Sequence, residues 1–409
     1  MMPELNDFQA LMQGWTSLGP YNALDLIRLP GRADAARWRE AIVQPVTEMG
    51  FQPPREIEAI YDEYIAGITA ELNKPFVAGD APMRFFLVNE PGGTHYFGVV
   101  FDHWFADSPS YRFFTRRAFE NYKTPGAVSR LPALQFCRKP FATLFGKSHL
   151  HVVAGESIRA YCRHLHAYRI PIPDPMDFTS GFQHLQFPVG LIETIRGFGK
   201  KSGATVNDVF LAAALQTMGE FTAPDRSTKR SRIFRPKRDR IAFTTAVDIR
   251  PLASELLEDQ IGCFISYYSM VAQNPEKMPL EKLTAQVAAY TRDVKSNRKA
   301  LRFFQTFKPA RMFWNYYKKP SQRALMMHRA TPFLGGISNV NLTDSWIGRD
   351  DRLLDYIRVS PTGPLVPTVF TLSTIRDRLA LSLTHRSAIF TREQAIAIAT
   401  GFALRLKTL

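Results

Sequence analysis

Cysteine is scarce in this chain, with three residues in 409: Cys137, Cys162 and Cys263. They are odd in number, widely spaced and form no CxxC pair, which excludes a disulfide framework and fits a reducing compartment. Long apolar runs are missing too. No stretch of about 18 uninterrupted apolar residues occurs, so the sequence offers no spanning helix. Residues 1–8 lack the basic-then-apolar order of a secretory signal. The expected address is therefore the cytoplasm, with peripheral contact to a membrane left open. There are no repeats at solenoid periods and no low-complexity tract, so long disordered stretches are not expected. No G-x-S-x-G element is present, which removes the nucleophile elbow. Acidic residues are in deficit, 37 against 52 Lys and Arg, for a net charge of +15. Anionic small molecules, acidic carrier proteins, nucleic acid and membrane surfaces would all be attracted, and charge alone does not choose among them.

What the chain has is apolar substance. Hydrophobic residues make up 45%, aromatics 12%, and 31 residues are Phe, enough for a sizeable core and an apolar tunnel besides. The length predicts two domains. Strand-like and helix-like segments alternate, with a strand over 21–29 and a helix over 33–49. Residues 56–72 carry Ile57, Ile60, Tyr61, Tyr64, Ile68 and Leu72 at helical spacing. A hairpin follows, from strands at 83–88 and 96–101 joined by Pro91-Gly92-Gly93. A helix over 109–122 comes next. The pattern restarts near Phe178 with a strand at 184–188 and helices over 189–201 and 206–221. The second of these is opened by the capping box Thr205-x-x-Asp208. Strands are expected at 241–249, 264–271, 336–342, 356–359, 368–375 and 379–384, before a last helix from Thr391. The reading is an α/β chain in two halves, 1–177 and 178–409.

His103-Trp104-Phe105-Ala106-Asp107 stands where the strand 96–101 ends and a helix begins. HxxxD spacing alone arises readily by chance, and a surface histidine is the ordinary alternative. A strand end can nonetheless hold a side chain rigidly against a cleft. Acyl transfer from a thioester needs a base to take the acceptor's proton, and histidine titrates in the right range. Without a nucleophile elbow, direct attack with no acyl-enzyme is the simpler mechanism.

Here the sequence resembles a family. The CoA-dependent acyltransferase superfamily, which includes chloramphenicol acetyltransferase, BAHD enzymes, wax ester synthases and condensation domains, carries HHxxxDG at a strand end. This chain reads Asp102-His103-Trp104-Phe105-Ala106-Asp107-Ser108, so the second His and the Asp match while Asp102 and Ser108 depart. Four further stretches fall in the family's order. They are Lys74-Pro75-Phe76 with Ala81-Pro82-Met83-Arg84, Gly203 to Val209, Ala246-Val247-Asp248-Ile249-Arg250-Pro251, and Ile337-Ser338-Asn339-Val340.

The resemblance implies an α+β two-layer sandwich fold, two chloramphenicol-acetyltransferase-like domains with the active-site tunnel between them. It implies His103 as general base, Asp107 turned away to pair with Arg250, and Ser338 and Asn339 near the substrate or its oxyanion. No bound cofactor is implied, since acyl-CoA or a phosphopantetheinyl thioester is the substrate. The acceptor is a hydroxyl or an amine, apolar in character, and an ester is favoured over an amide because no carrier or adenylation domain is visible. A free-standing condensation domain forming an amide, or an inactive scaffold binding acyl carriers or lipid, are the alternatives. Asp102 should face away from His103, yet its charge would raise the pKa of His103 by proximity.

Other candidates weigh less. His149-Leu150-His151 and His164-Leu165-His166 lack a third ligand at a recognisable spacing, so they read as exposed loop histidines rather than a metal site. Lys229, Arg230, Arg232, Arg235, Lys237 and Arg238 form a basic run that is ordinarily a solvated loop. It could instead meet donor phosphates, an acidic acyl carrier protein or anionic lipid. Residues 292–323 hold ten Lys or Arg against Asp293 alone, interleaved with Phe303, Phe304, Phe307, Phe313, Trp314, Tyr316 and Tyr317. Such a helix packs its aromatic face into a core or lies on a membrane. Nucleic acid is not an expected partner.

Overall fold

The computed structural model describes residues 4–57, 59–77, 79–126, 131–146, 150–228, 238–257 and 260–409. In chain order the strands are β1 (Asn22–Pro30), β2 (Ala59–Tyr61), β3 (Met83–Glu90), β4 (Thr94–Asp102), β5 (Gln135–Phe136), β6 (Ser180–Gln186) and β7 (Arg240–Asp248). They continue with β8 (Gln260–Ile261), β9 (Ile265–Gln273), β10 (Gly335–Asn341), β11 (Asp355–Val359), β12 (Thr368–Ile375) and β13 (Arg378–Arg386). Two compact units result. The first gathers Met1–Lys147, Asp248–Ile265 and Leu342–Pro361, and the second Ser148–Val247, Ser266–Asn341 and Thr362–Leu409. The units therefore differ from a plain division at 177/178. Two late segments fold with the first unit, because β11 pairs with β1 and the stretch after β7 holds the partner of Asp107.

The first unit is built on a sheet of order β11-β1-β4-β3-β2. β3 and β4 form the expected hairpin, with Glu90 opposite Thr94 across a turn whose Gly92 and Gly93 have φ of 104° and 76°, values that glycine adopts at little cost. Gly98 is needed for a different reason, since a Cβ there would come 2.2 Å from the ring of Phe86. On one face of β4, Trp38 is sandwiched between Phe97 at 3.9 Å and Tyr122 at 4.0 Å. Phe101 stacks on Tyr111 of the helix Ser108–Lys123. These aromatic contacts fix the strand that ends at His103.

The helical reading of 56–72 is corrected. Residues Ala59–Tyr61 pair in parallel with β3, and the helix begins only at Tyr64. Ile57, Ile60 and Tyr61 satisfy a helical stripe and a short edge strand equally well, and the preceding Pro53-Pro54 favours extended chain.

The second unit is built on a sheet of order β6-β13-β12-β10-β7-β9. One face is apolar, with Phe243, Ile337, Phe370, Leu372, Leu381 and Leu383 all buried. Over it pack the helices Leu191–Lys201, Val206–Thr228 and Arg392–Lys407. Ala212, Ala213 and Ala214 are fully buried, so small side chains permit the close approach. Thr205 and Asp208 form the predicted box, Asp208 N donating to Thr205 Oγ1 at 3.3 Å and Thr205 N to Asp208 Oδ2 at 2.8 Å. No helix among the described residues is long and apolar enough to cross a membrane.

Candidate active site

β4 runs into a turn at His103, whose main-chain N–H donates to Tyr21 O at 3.0 Å. The imidazole is 7% exposed and lies between the rings of Tyr21 at 5.5 Å and Phe101 at 6.0 Å. Burial, and after it the positive charge of Arg358, pushes the imidazole pKa down to about 4 against the pull of the Ala106 main chain and the Asp107 carboxylate. His103 is therefore neutral throughout the physiological range, the state a general base requires.

Asp107 is fully buried and turned into the protein. Arg250 meets it with both arms of the guanidinium, Nη1 to Oδ2 at 2.5 Å and Nη2 to Oδ1 at 2.7 Å. Ser110 Oγ donates to Oδ1 at 2.8 Å and Phe264 N to Oδ2 at 2.8 Å, and Oδ1 also caps the helix Ser108–Lys123 by accepting from Ser110 N at 3.2 Å. Burial alone would raise the carboxyl pKa, but the Arg250 charge and these donors hold it below the usual carboxylate range. Arg250 also lies 4.7 Å over the Phe264 ring. A bidentate charge-assisted fork of this kind fixes direction as well as distance. It ties the turn carrying His103 to the segment following β7.

The departures from the motif acquire a physical account. Ser108 opens the helix and accepts from Arg112 Nη1 at 2.8 Å. Asp102 turns toward Trp104 and Arg84, and the expectation that it raises the pKa of His103 is corrected, because the imidazole shifts the other way under burial and Arg358. Burial lifts the carboxyl of Asp102 itself to about 7. Since its folded pKa lies above the ordinary 3.8, the stability it contributes falls as pH rises from about 4 to 7 and is level beyond. Asp102→Asn is thus expected to gain stability over the wild type as pH rises through that window. Urea unfolding at pH 5 and pH 8 measures it, and a difference independent of pH would contradict the buried carboxyl.

One set of residues escaped the sequence reading. Asp25 on β1 is fully buried and sits opposite Arg358 of β11, with the Tyr356 hydroxyl beside its carboxylate. Burial raises its pKa against the charges of Arg358 and Arg112. The signal was available: Asp25 stands between Leu24 and Leu26 in Asn22–Pro30, and Arg358 between Ile357 and Val359 in Asp355–Val359, charges flanked by apolar residues in strands of the motif's own sheet.

Ser338 and Asn339 belong to the second unit, on β10. They point to opposite faces. Ser338 continues the cross-strand row His184, Ser382, Thr371, while Asn339 shares the side of Ile337 and Leu372. Lys229, Arg230, Arg232, Arg235 and Lys237 lie outside the described residues, and His149 does too. Arg238 lies just after them, at the start of the described chain before β7. His164 is not the exposed loop residue expected. It ends a helix, is buried, and bonds Ser269 Oγ at 2.9 Å through Nε2.

No protein-family model matches the sequence, and no curated protein matches it. Solved structures do. The condensation domain of the monacolin K polyketide synthase MokA aligns with a TM-score of 0.65 at 13% identity, covering 99% of this chain and 96% of that one. The chain has the condensation-domain fold. SgcC5 from Streptomyces globisporus, in complex with (R)-(-)-1-(2-naphthyl)-1,2-ethanediol and sucrose, aligns at 0.64 and 14% identity over 99% of this chain and 98% of its own. The epimerization domain from the third module of tyrocidine synthetase B aligns at 0.63 and 13% identity over 99% and 95%.

Proposed function

We propose that the protein catalyses condensation: transfer of an acyl group from a thioester to an amine or hydroxyl, with His103 as general base and no acyl-enzyme. The observation that carries this is a buried, neutral imidazole at the end of β4, in a turn clamped by the Asp107–Arg250 fork. As the acceptor attacks the thioester carbonyl, His103 takes its proton. A C–N or C–O bond forms, the C–S bond breaks, and the imidazolium returns the proton to the departing thiolate.

The condensation fold favours a donor held on a carrier protein's pantetheinyl arm over free acyl-CoA, two donors that the motif alone left open. An acidic carrier suits the net charge of +15. The basic residues around Arg238 are the part of the chain proposed to meet the carrier or the donor phosphates. A hydroxyl acceptor is supported by the diol bound to SgcC5. Ser338 is the better placed of the two β10 residues to position substrate if the polar row is the reacting side.

The test offers one acyl group on a carrier protein and on CoA, with mixed amines and alcohols, and reads products by mass spectrometry. Transfer is expected from the carrier thioester at a kcat/KM about tenfold or more above the CoA thioester. Equal rates would return the donor to CoA. Binding of the acylated carrier without turnover would replace catalysis by the scaffold reading.

A further inference from the structure

The segment between Asp293 and Asp344 contains no acidic residue and ten Lys or Arg. It folds into the helices Lys299–Gln305, Phe307–Tyr316 and Pro320–Ala330 of the second unit. The expectation that its aromatic residues line a core holds for some of them. Phe304 and Trp314 are 4% and 3% exposed, and Arg323 fastens the third helix to the second by lying 5.1 Å over the Trp314 ring and donating to Tyr317 O at 2.8 Å. The other face of Phe307–Tyr316 is inverted. Met312 is 67% exposed, Phe313 62% and Tyr316 76%. Met312 and Tyr316 are four residues apart and so share a stripe, with the exposed Lys308 one turn earlier on it. Lys318 and Lys319, also exposed, follow directly.

Scattered apolar side chains on a surface need no explanation. Three large ones adjoining on one short helix, bracketed by lysines in a segment of sequence without an acid, form a patch. We propose that this helix face is a docking surface for an anionic lipid membrane, lying flat with Met312, Phe313 and Tyr316 at the headgroup boundary and Lys308, Lys318 and Lys319 reaching lipid phosphates. Charge complementarity and side-chain type together select this occupant. Long lysines flanking an apolar stripe can extend to headgroups while their stems stay against apolar surface. A protein partner is the weaker match, because the cores of protein interfaces are depleted in lysine. The proposal stands apart from the catalytic reading, since every residue it uses is remote in sequence from His103, Asp107 and Arg250.

The experiment is flotation of the full chain with vesicles of phosphatidylcholine alone and with about a third phosphatidylglycerol, at low and high salt. Binding to the anionic vesicles is expected to exceed binding to the neutral ones by roughly tenfold or more, and to weaken steeply with salt. The triple variant Met312→Ser, Phe313→Ser, Tyr316→Ser should lose about tenfold in vesicle affinity. Because these side chains are exposed, its thermal unfolding and its activity on soluble substrates should match the wild type. No binding to anionic vesicles overturns the proposal, as does undiminished binding by the triple variant. So does retention on an acidic carrier protein that is lost in the triple variant while vesicles are ignored.

Discussion

His103→Ala is expected to lower kcat by about 10²- to 10⁴-fold, the usual worth of a general base. KM should change little, because an imidazole that acts only as attack begins contributes to the transition state and not to ground-state binding. A volume-conserving His103→Gln controls for the space left between Tyr21 and Phe101. It should fold as the wild type does and be as inactive as the alanine variant. The pH profile carries the sharper expectation. With its pKa pushed down to about 4, His103 stays an available base well below the range where an ordinary histidine is lost. The rate attributable to it should therefore be level from pH 8 to about pH 5. Stability has the opposite sense to that of a salt-bridged histidine. Between 6.5 and 4 the unfolded chain binds a proton at this position that the folded chain refuses, so stability falls as the solution is acidified through that window. Circular dichroism alongside the rate separates the two effects. An acid limb at pH 6 to 7 in a protein still folded would show that His103 is not held as the structure has it. Wild-type turnover by both variants would remove it from the mechanism.

How much of this was visible beforehand depends on the range of the interaction. The hairpin of β3 and β4, the glycine turn, the helix after Asp107 and the cap at Thr205 are set by neighbours in sequence, and their periodicity and turn residues declare them. Asp107 and Arg250 are 143 residues apart, and only the order of motifs could join them. β2 was misread because six residues at helical spacing do not distinguish a helix from an edge strand followed by one. The weave of the units was hidden for a different reason. Whether β11 completes a sheet begun by β1 is decided by long-range pairing, about which a local apolar run says nothing. The same limit hid Asp25 and Arg358. Each is legible as a charge within an apolar strand, but their facing positions, and the influence of Arg358 on His103, exist only once β1 and β11 are side by side.

Asp107→Asn should be the most destabilising single-atom exchange at the site. Asparagine keeps the size and one acceptor oxygen, so the cap on the helix Ser108–Lys123 through Ser110 N survives in part. What is lost is the charge facing Arg250, a guanidinium only 8% exposed. Leaving such a cation with only the part-exposed Asp248 at 3.6 Å for a counter-charge costs up to roughly 3–5 kcal/mol. Asp107→Ala removes the cap as well and should cost about a further 1 kcal/mol. Arg250→Lys keeps a charge but presents a point where two parallel donors are needed, so it should recover stability only partly. The informative variant removes both partners. Asp107→Leu with Arg250→Met deletes the buried charges together, and its loss of stability should be smaller than the sum of the single changes, since no unpaired ion remains. Activity should not return with it. The fork aims the turn at whose start His103 sits, and apolar packing fills the space without setting that direction. A double variant that is stable, has near wild-type KM and a kcat still reduced by about tenfold or more would separate positioning from folding. Full recovery of kcat in the double variant would mean that Asp107 and Arg250 hold the fold together and have no part in orienting the base.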